Sequence, residues 1–578
     1  MRQAVPLSFS GDGATLLVGS DVPGTRQLHV LPARGGDLRQ VTDFRDPVSG
    51  QLLPDGRILL ELDEGGNERT QLYLLDRRPG AEPEPLVVDP RFIHGTPHVS
   101  RDGALLAYAT NRRNGVDFDV VARRLESGEE RSFELGGWCA VAAISPDGRR
   151  VVAEKLGERS GDSDLFLLDV DTGESVRATT HGGEVAYETP VWLGESLVYA
   201  TNEGRDTLAI VRDGQLVVES PWDLRCAADD AGRSLLVHAN EDGYSRLTLH
   251  DPRTFAARED VPLPGGGVVE HPIFSADGSL LAFAFSSATE PHEVYLYDLD
   301  ARALTRLTRS PRTVDPETLV QPELHRFPSF DGESIPLFLF LPPGEGPFPV
   351  VVTVHGGPEG QWRPWYAPSF APLTQHLLSR GYAVAAPNVR GSTGYGKRFE
   401  HLDDVRLRLD SVRDLACLHD WLAAQPQIDG SRAVLYGRSY GGYMVLAGLA
   451  FQPDRWAAGI EMVGISSLVT FLENTSAYRR AAREREYGSL AHDRDFLVEA
   501  SPITHVDAIR APLFIQHGEN DPRVPVGESR HIHRVLTERG VRCELLVFPD
   551  EGHAIEKLDN RIAAFTRAAA FLEEVVGG

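Results

Sequence analysis

Ser439 stands in the string GRSYGG, Gly437 to Gly442, between the apolar run Ala433 to Tyr436 and a second apolar run that begins at Tyr443. The first run reads as a buried parallel strand and the second as the start of a helix, so the serine is predicted on a tight turn between them. Small residues at Gly437 and Gly441 let strand and helix approach closely, and the hydroxyl then stands clear of the sheet. A serine hydroxyl is a poor nucleophile until a base takes its proton, and the base needs a carboxylate to fix its tautomer. Downstream, PLFIQHGENDPRVP places Asp521 just beyond a predicted strand, and CELLVFPDEGH places His553 after the next one. The chemistry implied is acyl transfer through Ser439, with His553 as base and Asp521 as its orienting acid. Because a G-x-S-x-G string arises by chance roughly 0.3 times in a chain of this composition, the assignment rests on the company Ser439 keeps.

Competitors for each role are weaker. Asp550 and Glu551 lie close before His553, but neither sits at the end of the preceding strand's loop as Asp521 does. His355 precedes the nucleophile and His517 precedes the acid, against the order Ser, Asp, His of α/β-hydrolases, so both read as turn-stabilising histidines. Acyl transfer also needs two donors aimed at the developing oxyanion. One is the backbone N–H of Tyr440, and the other comes from HGGP, His355 to Pro358, directly after a strand, with Gly357 the residue chosen within it. The stretch RGSTGYGKR approaches a phosphate-binding loop, but Arg398 stands where a magnesium-binding Ser or Thr is required. No nucleotide, other cofactor or metal is predicted.

These residues need a scaffold, and the chain after Pro311 supplies one. VVVTVHGG from Val350, AVAAPN from Ala383, AVLYG from Ala433, PLFIQHG from Pro512 and CELLVFP from Cys543 are short apolar runs separated by helical segments. That alternation predicts an α/β-hydrolase domain with a doubly wound, mostly parallel sheet over residues 322–578. Before Pro311 the chain repeats instead. A turn resembling S-x-D-G, followed by two β-rich stretches and a polar hairpin, recurs at Asp12, Asp55, Asp102, Asp147, Glu195, Asp230 and Asp277. The period of about 45 residues is that of one four-stranded blade, so residues 1–310 are predicted to form an all-β propeller of about seven blades. Residues 311–321, rich in proline and charge, read as the connection.

A formal net charge of -26 over 578 residues argues against nucleic acid or an anionic membrane as partner. Cys139, Cys226, Cys417 and Cys543 are far apart and form no metal-type pair, which suggests buried apolar residues. The N-terminal stretch lacks a signal peptide's apolar core and no 18-residue apolar run occurs, so a cytoplasmic location is expected. Val469, Phe471 and Leu472, after the nucleophile helix, are candidates for an apolar substrate pocket or for core packing.

Taken together, HGGP, NVRGSTGYG from Asn388, GRSYGG, HGENDPRVP and DEGH resemble the motif set of the prolyl oligopeptidase family of serine peptidases, particularly its acylaminoacyl peptidase branch. The resemblance spans the C-terminal domain, and the propeller completes the family's two-domain plan. It implies Ser439, Asp521 and His553 as a triad, Gly357 and Tyr440 as oxyanion donors, and Arg523 as a contact to a substrate carbonyl or chain end. The implied activity is hydrolysis of short peptides through an acyl-enzyme, with size selection by the propeller and with self-association. The paired-glutamate motif of the dipeptidyl branch is not found, because Glu129 with Glu130 follows a hairpin glycine and reads as a solvated turn. Arg438 departs from the small or aromatic residue expected beside the nucleophile. A guanidinium there suits bidentate binding of a substrate carboxylate, making a carboxypeptidase-type exopeptidase one alternative; an internal ion pair under the turn is the other role for it. An esterase on the same triad and an inactive propeller scaffold complete the alternatives.

Overall fold

The computed structural model describes residues 2–78 and 80–577. They form two compact units, one from the chain up to Glu64, Glu68–Ser287 and Pro291–Thr313, the other from Gly65–Asn67, Ala288–Glu290 and the chain from Val314 onward.

The first unit is a seven-bladed propeller, seven antiparallel sheets of four strands, each with its strands in chain order. The seven turn residues read from the repeat all fall on the first hairpin of successive blades. The S-x-D-G turn is closed by its own side chains. Ser10 Oγ donates to Asp12 Oδ1 at 2.6 Å, the Ala14 amide donates to the same oxygen at 3.0 Å, and the Thr15 amide donates to Ser10 Oγ at 2.9 Å. Ser145 and Asp147 repeat this arrangement. Such bonds mimic a backbone turn and favour the left-handed glycine that follows, which at Gly13 has φ +70° and at Gly148 +69°. In the sixth blade the residue that accepts the turn amides, from Arg233 and Ser234, is Asp229 and not its neighbour Asp230. The shorter spacing before that turn follows from the fifth blade, where Leu193 pairs with Ser196 and Arg212 with Gln215 across two-residue loops. The ring closes by packing: Leu16, Val18 and Leu31 of the first blade share a core with Leu280, Ala282 and Leu296 of the last.

The second unit is built on eight strands, here β1 (Glu323–Pro328), β2 (Ser334–Phe340), β3 (Phe348–Val354), β4 (Ala383–Pro387), β5 (Ile428–Arg438), β6 (Ala458–Met462), β7 (Leu513–Gly518) and β8 (Cys543–Phe548). Their order in the sheet is β1, β2, β4, β3, β5, β6, β7, β8. The first two pairings are antiparallel and the remainder parallel. Central parallel strands are covered on both faces and so read as apolar runs; every residue of β3 and β4 is buried. Strands β1 and β6 escape that pattern. The first is a polar edge strand, and the second carries the buried Glu461 in its middle. Helices Arg408–Ala423 and Tyr440–Phe451 pack into the same core as the sheet.

Among the described residues, no helix is long and apolar enough to cross a membrane. All four cysteines are free; Cys139 and Cys226 are buried, Cys417 and Cys543 partly so.

Candidate active site

Ser439 joins the end of β5 to the helix Tyr440–Phe451 with φ 59° and ψ -118°. A non-glycine residue there is strained and is held only by its surroundings. Its amide donates to the Met462 carbonyl at 2.8 Å, and its carbonyl accepts the Tyr443 amide at 2.9 Å. The flanking glycines make the turn possible. A Cβ on Gly437 would lie 2.2 Å from the Gly441 carbonyl oxygen, and one on Gly441 would lie 2.1 Å from that of Val354. Strand β3, the turn and the helix are thus in backbone contact, which no side chain allows.

His553 Nδ1 lies 2.7 Å from Asp521 Oδ2. The other carboxylate oxygen, Oδ1, accepts the amides of Arg523 at 2.8 Å and Val524 at 3.1 Å. Burial works against the charge on Asp521, but the His553 and His517 imidazoles and their hydrogen bonds hold it well below the ordinary carboxylate range. Burial also pushes His553 down, to about 4, against the raising influence of Asp521 and with Arg438 and Arg523 adding to the depression. The result is a neutral imidazole at neutral pH, oriented by an ionised carboxylate, as a general base requires. The two other histidines near the strand ends are fully engaged. His355 has Nδ1 2.9 Å from the Gly356 carbonyl and Nε2 2.8 Å from Ser392 Oγ. His517 has Nδ1 2.7 Å from Ser529 Oγ and Nε2 2.8 Å from the Val524 carbonyl.

A cavity of about 240 Å³ within this unit is lined by Ser439, His553, Gly356, Gly357, Phe370, Arg438, Ile465, Phe471, Arg479, Arg483, Tyr487, Arg523 and Val524. Tyr440 is the first residue of its helix, where the N–H has no helical acceptor of its own. Gly357, at φ 138°, sits in a turn so close that a Cβ would meet the Glu359 amide nitrogen at 2.5 Å. Of the three apolar candidates after the helix Tyr440–Phe451, Phe471 lines the cavity. Val469 and Leu472 lie in the main core. The physical reason is the period: Leu468–Asn474 is a helix, so its apolar residues diverge around the axis.

Arg438 and Arg523 both reach the cavity. Arg438 donates to the His553 carbonyl from Nε and Nη2, and Nη1 lies 3.4 Å from Ser369 Oγ. Beneath the cavity the Tyr440 side chain runs into a buried polar cluster, with its hydroxyl 2.8 Å from Ser411 Oγ and 3.2 Å from Asp403 Oδ2. The guanidinium of Arg408 ion-pairs with Asp403 and Glu486. It also lies over the rings of Tyr440 and Tyr487, at 5.2 and 4.8 Å. Asp403, Asp404 and Glu486 bring carboxylate oxygens within 4.8 Å of one another, but Arg408 already supplies the compensating charge to two of them. Sequence reasoning passed over Arg408, Arg479, Arg483 and Tyr487. The signal of Arg479, Arg483 and Tyr487 was present only as charge and an aromatic in RRAAREREY, a string that reads equally well as a solvated helix, and Arg408 stands apart from it in HLDDVRLRLD.

The descriptive model of the prolyl oligopeptidase family matches residues 368–578. Dipeptidyl aminopeptidase BIII of Pseudoxanthomonas mexicana is 28% identical over 618 residues, covering 99% of this chain and 87% of that protein. The acylamino-acid-releasing enzyme of Rattus norvegicus is 24% identical over 258 residues, covering 44% of this chain and 35% of that enzyme. Among solved structures, a puromycin-hydrolyzing peptidase of Mycobacterium tuberculosis superposes with a TM-score of 0.84 at 21% identity, over 99% of this chain and 94% of its own.

Proposed function

Since residues 368–578 belong to the prolyl oligopeptidase family, we propose that this chain is a serine peptidase that hydrolyses short peptides through an acyl-enzyme. Ser439 Oγ attacks the scissile carbonyl while His553 takes its proton, and Asp521 keeps the imidazole oriented and stabilises its charged form. The amides of Tyr440 and Gly357 receive the oxyanion. Collapse of the tetrahedral intermediate expels the amine, which takes the proton from His553, and a water activated by the same base releases the acyl group. The observation that carries this reading is the strained turn at Ser439 opening on a cavity shared with His553, whose Nδ1 is 2.7 Å from Asp521.

The finer reading is an exopeptidase or oligopeptidase of the acylaminoacyl type. Release of N-terminal dipeptides is the second reading, favoured by the length of the match to a dipeptidyl aminopeptidase, 99% of this chain. Anchoring of a substrate carboxylate by Arg438 is less favoured, because that guanidinium is engaged with the His553 carbonyl. Self-association is proposed from the family likeness, and a reducing compartment from the four free cysteines.

Two measurements test the reading. A fluorophosphonate probe is expected to label the protein and to fail on Ser439→Ala, with hydrolysis of a short peptide falling by about 10⁴-fold or more. Hydrolysis that survives the substitution overturns the mechanism. The same peptide offered N-acetylated, with a free N-terminus, and C-terminally amidated, with products identified by mass, separates the acylaminoacyl, dipeptidyl and carboxypeptidase readings.

A further inference from the structure

Four guanidinium groups, of Arg438, Arg479, Arg483 and Arg523, line the cavity beside Ser439, and among the described residues lining it none is a carboxylate. In a chain with a net charge of -26 this is a local reversal of sign. Arg479, Arg483 and Tyr487 follow one another at four-residue steps along the helix Ala477–Tyr487, so that all three project from one face. Behind the wall, Glu359 lies 3.8 Å from Arg483 and Asp521 is paired with His553. The described residues that line the cavity thus include four arginines and no acid. Ile465, Phe471 and Val524 supply apolar surface between the charged groups.

Such a wall suits a group with a short apolar stem and an anionic end. Guanidinium groups present planar forks that match a carboxylate, and these bonds strengthen where water is excluded. An anion among them also relieves the repulsion between the arginines themselves. Resting on the peptidase reading above, we propose that this cavity is a subsite for a peptide carboxylate, with Arg479 and Arg483 as its specificity-determining residues. The carboxylate comes either from an acidic side chain on the acyl side of the scissile bond or from the substrate's own C-terminus.

The test uses the intact protein and two matched arms. In the first, peptides carry Glu, Gln or Leu immediately before the scissile bond. In the second, one peptide ends in a free acid or an amide. The expected result is a kcat/KM about tenfold or more higher for the carboxylate member of one arm, and the arm that responds identifies the source. In Arg479→Gln/Arg483→Gln the ratio is expected to fall to about twofold or less. Ratios near one in both arms for the unmodified protein overturn the proposal, as does a preference that survives the double substitution. The first measurement needs no variant, so misfolding of the double substitution does not rescue the idea. Calorimetric binding of the same peptides to Ser439→Ala reads the preference without turnover. Hydrolysis of every peptide without preference therefore removes the subsite and leaves the peptidase. Preferential binding of the carboxylate peptides with no hydrolysis by the unmodified protein does the reverse.

Discussion

Arg438 donates to the backbone carbonyl of His553 from Nε at 3.2 Å and from Nη2 at 2.9 Å. The residue just before Ser439 therefore anchors the main chain of the histidine that faces the same cavity. A small displacement of a base from its working geometry is costly, about a hundredfold for 1 Å. Arg438→Met removes both bonds, and kcat is expected to fall by about ten- to a hundredfold on acid and amide peptides alike. An effect confined to KM for free-acid peptides would instead make Arg438 a substrate anchor. Steady-state kinetics on the two peptide forms decides between them.

The pH profile carries a second expectation. Burial, aided by Arg438 and Arg523, sets His553 down to about 4 from its ordinary 6.5. A lowered value keeps the imidazole neutral, and so able to accept a proton, further into acid. The acid limb of kcat/KM is expected well below pH 6.5. Because both arginines depress the value, Arg523→Met should move the limb upward. A limb at or above 6.5 in the unmodified protein, or a downward shift in the variant, would contradict this account.

Gly441→Ala tests the turn itself. The added Cβ would stand 2.1 Å from the Val354 carbonyl oxygen and 2.8 Å from that of His355, both backbone atoms. Relief requires β3 and the helix Tyr440–Phe451 to move apart, at a cost of about 1–3 kcal/mol by the usual scale of overpacking. Denaturant unfolding measures the loss, and fluorophosphonate labelling of Ser439 should slow in parallel. Full stability with unaltered labelling would mean that the close approach is not needed.

Legibility in the sequence followed how local each signal was. Blade turns were legible because Ser10 with Asp12, and their repeats, build the turn from residues within five positions of one another. The placing of Ser439, Asp521 and His553 at or beyond strand ends was legible because each follows a short, mostly apolar run. Strand β6 was legible only as a strand-like run without bounds, since the buried Glu461 breaks its apolar pattern. The cationic wall of the cavity was not legible. Whether RRAAREREY faces solvent or a cavity depends on what packs against Tyr487 and Glu486 from elsewhere in the chain, and no spacing within the string encodes that.

Arg408 shows the same dependence on distant partners and yields the last prediction. It is wholly buried, ion-paired to Asp403 and Glu486, and stacked over Tyr440 and Tyr487. Removing one member of a buried charge network strands the others, at about 3–5 kcal/mol, whereas replacing the whole network by apolar groups costs far less. Arg408→Met alone is therefore expected to lose about 3–5 kcal/mol in denaturant unfolding, and Asp403→Leu/Arg408→Met/Glu486→Leu substantially less. Activity should not follow stability in that series. Tyr440 carries the proposed oxyanion amide and Tyr487 walls the cavity, and both lose the guanidinium between their rings in the triple variant as in the single one. A triple variant that regains stability yet keeps a lowered kcat separates the positioning role of Arg408 from its contribution to folding; recovery of both together would leave it a structural residue only.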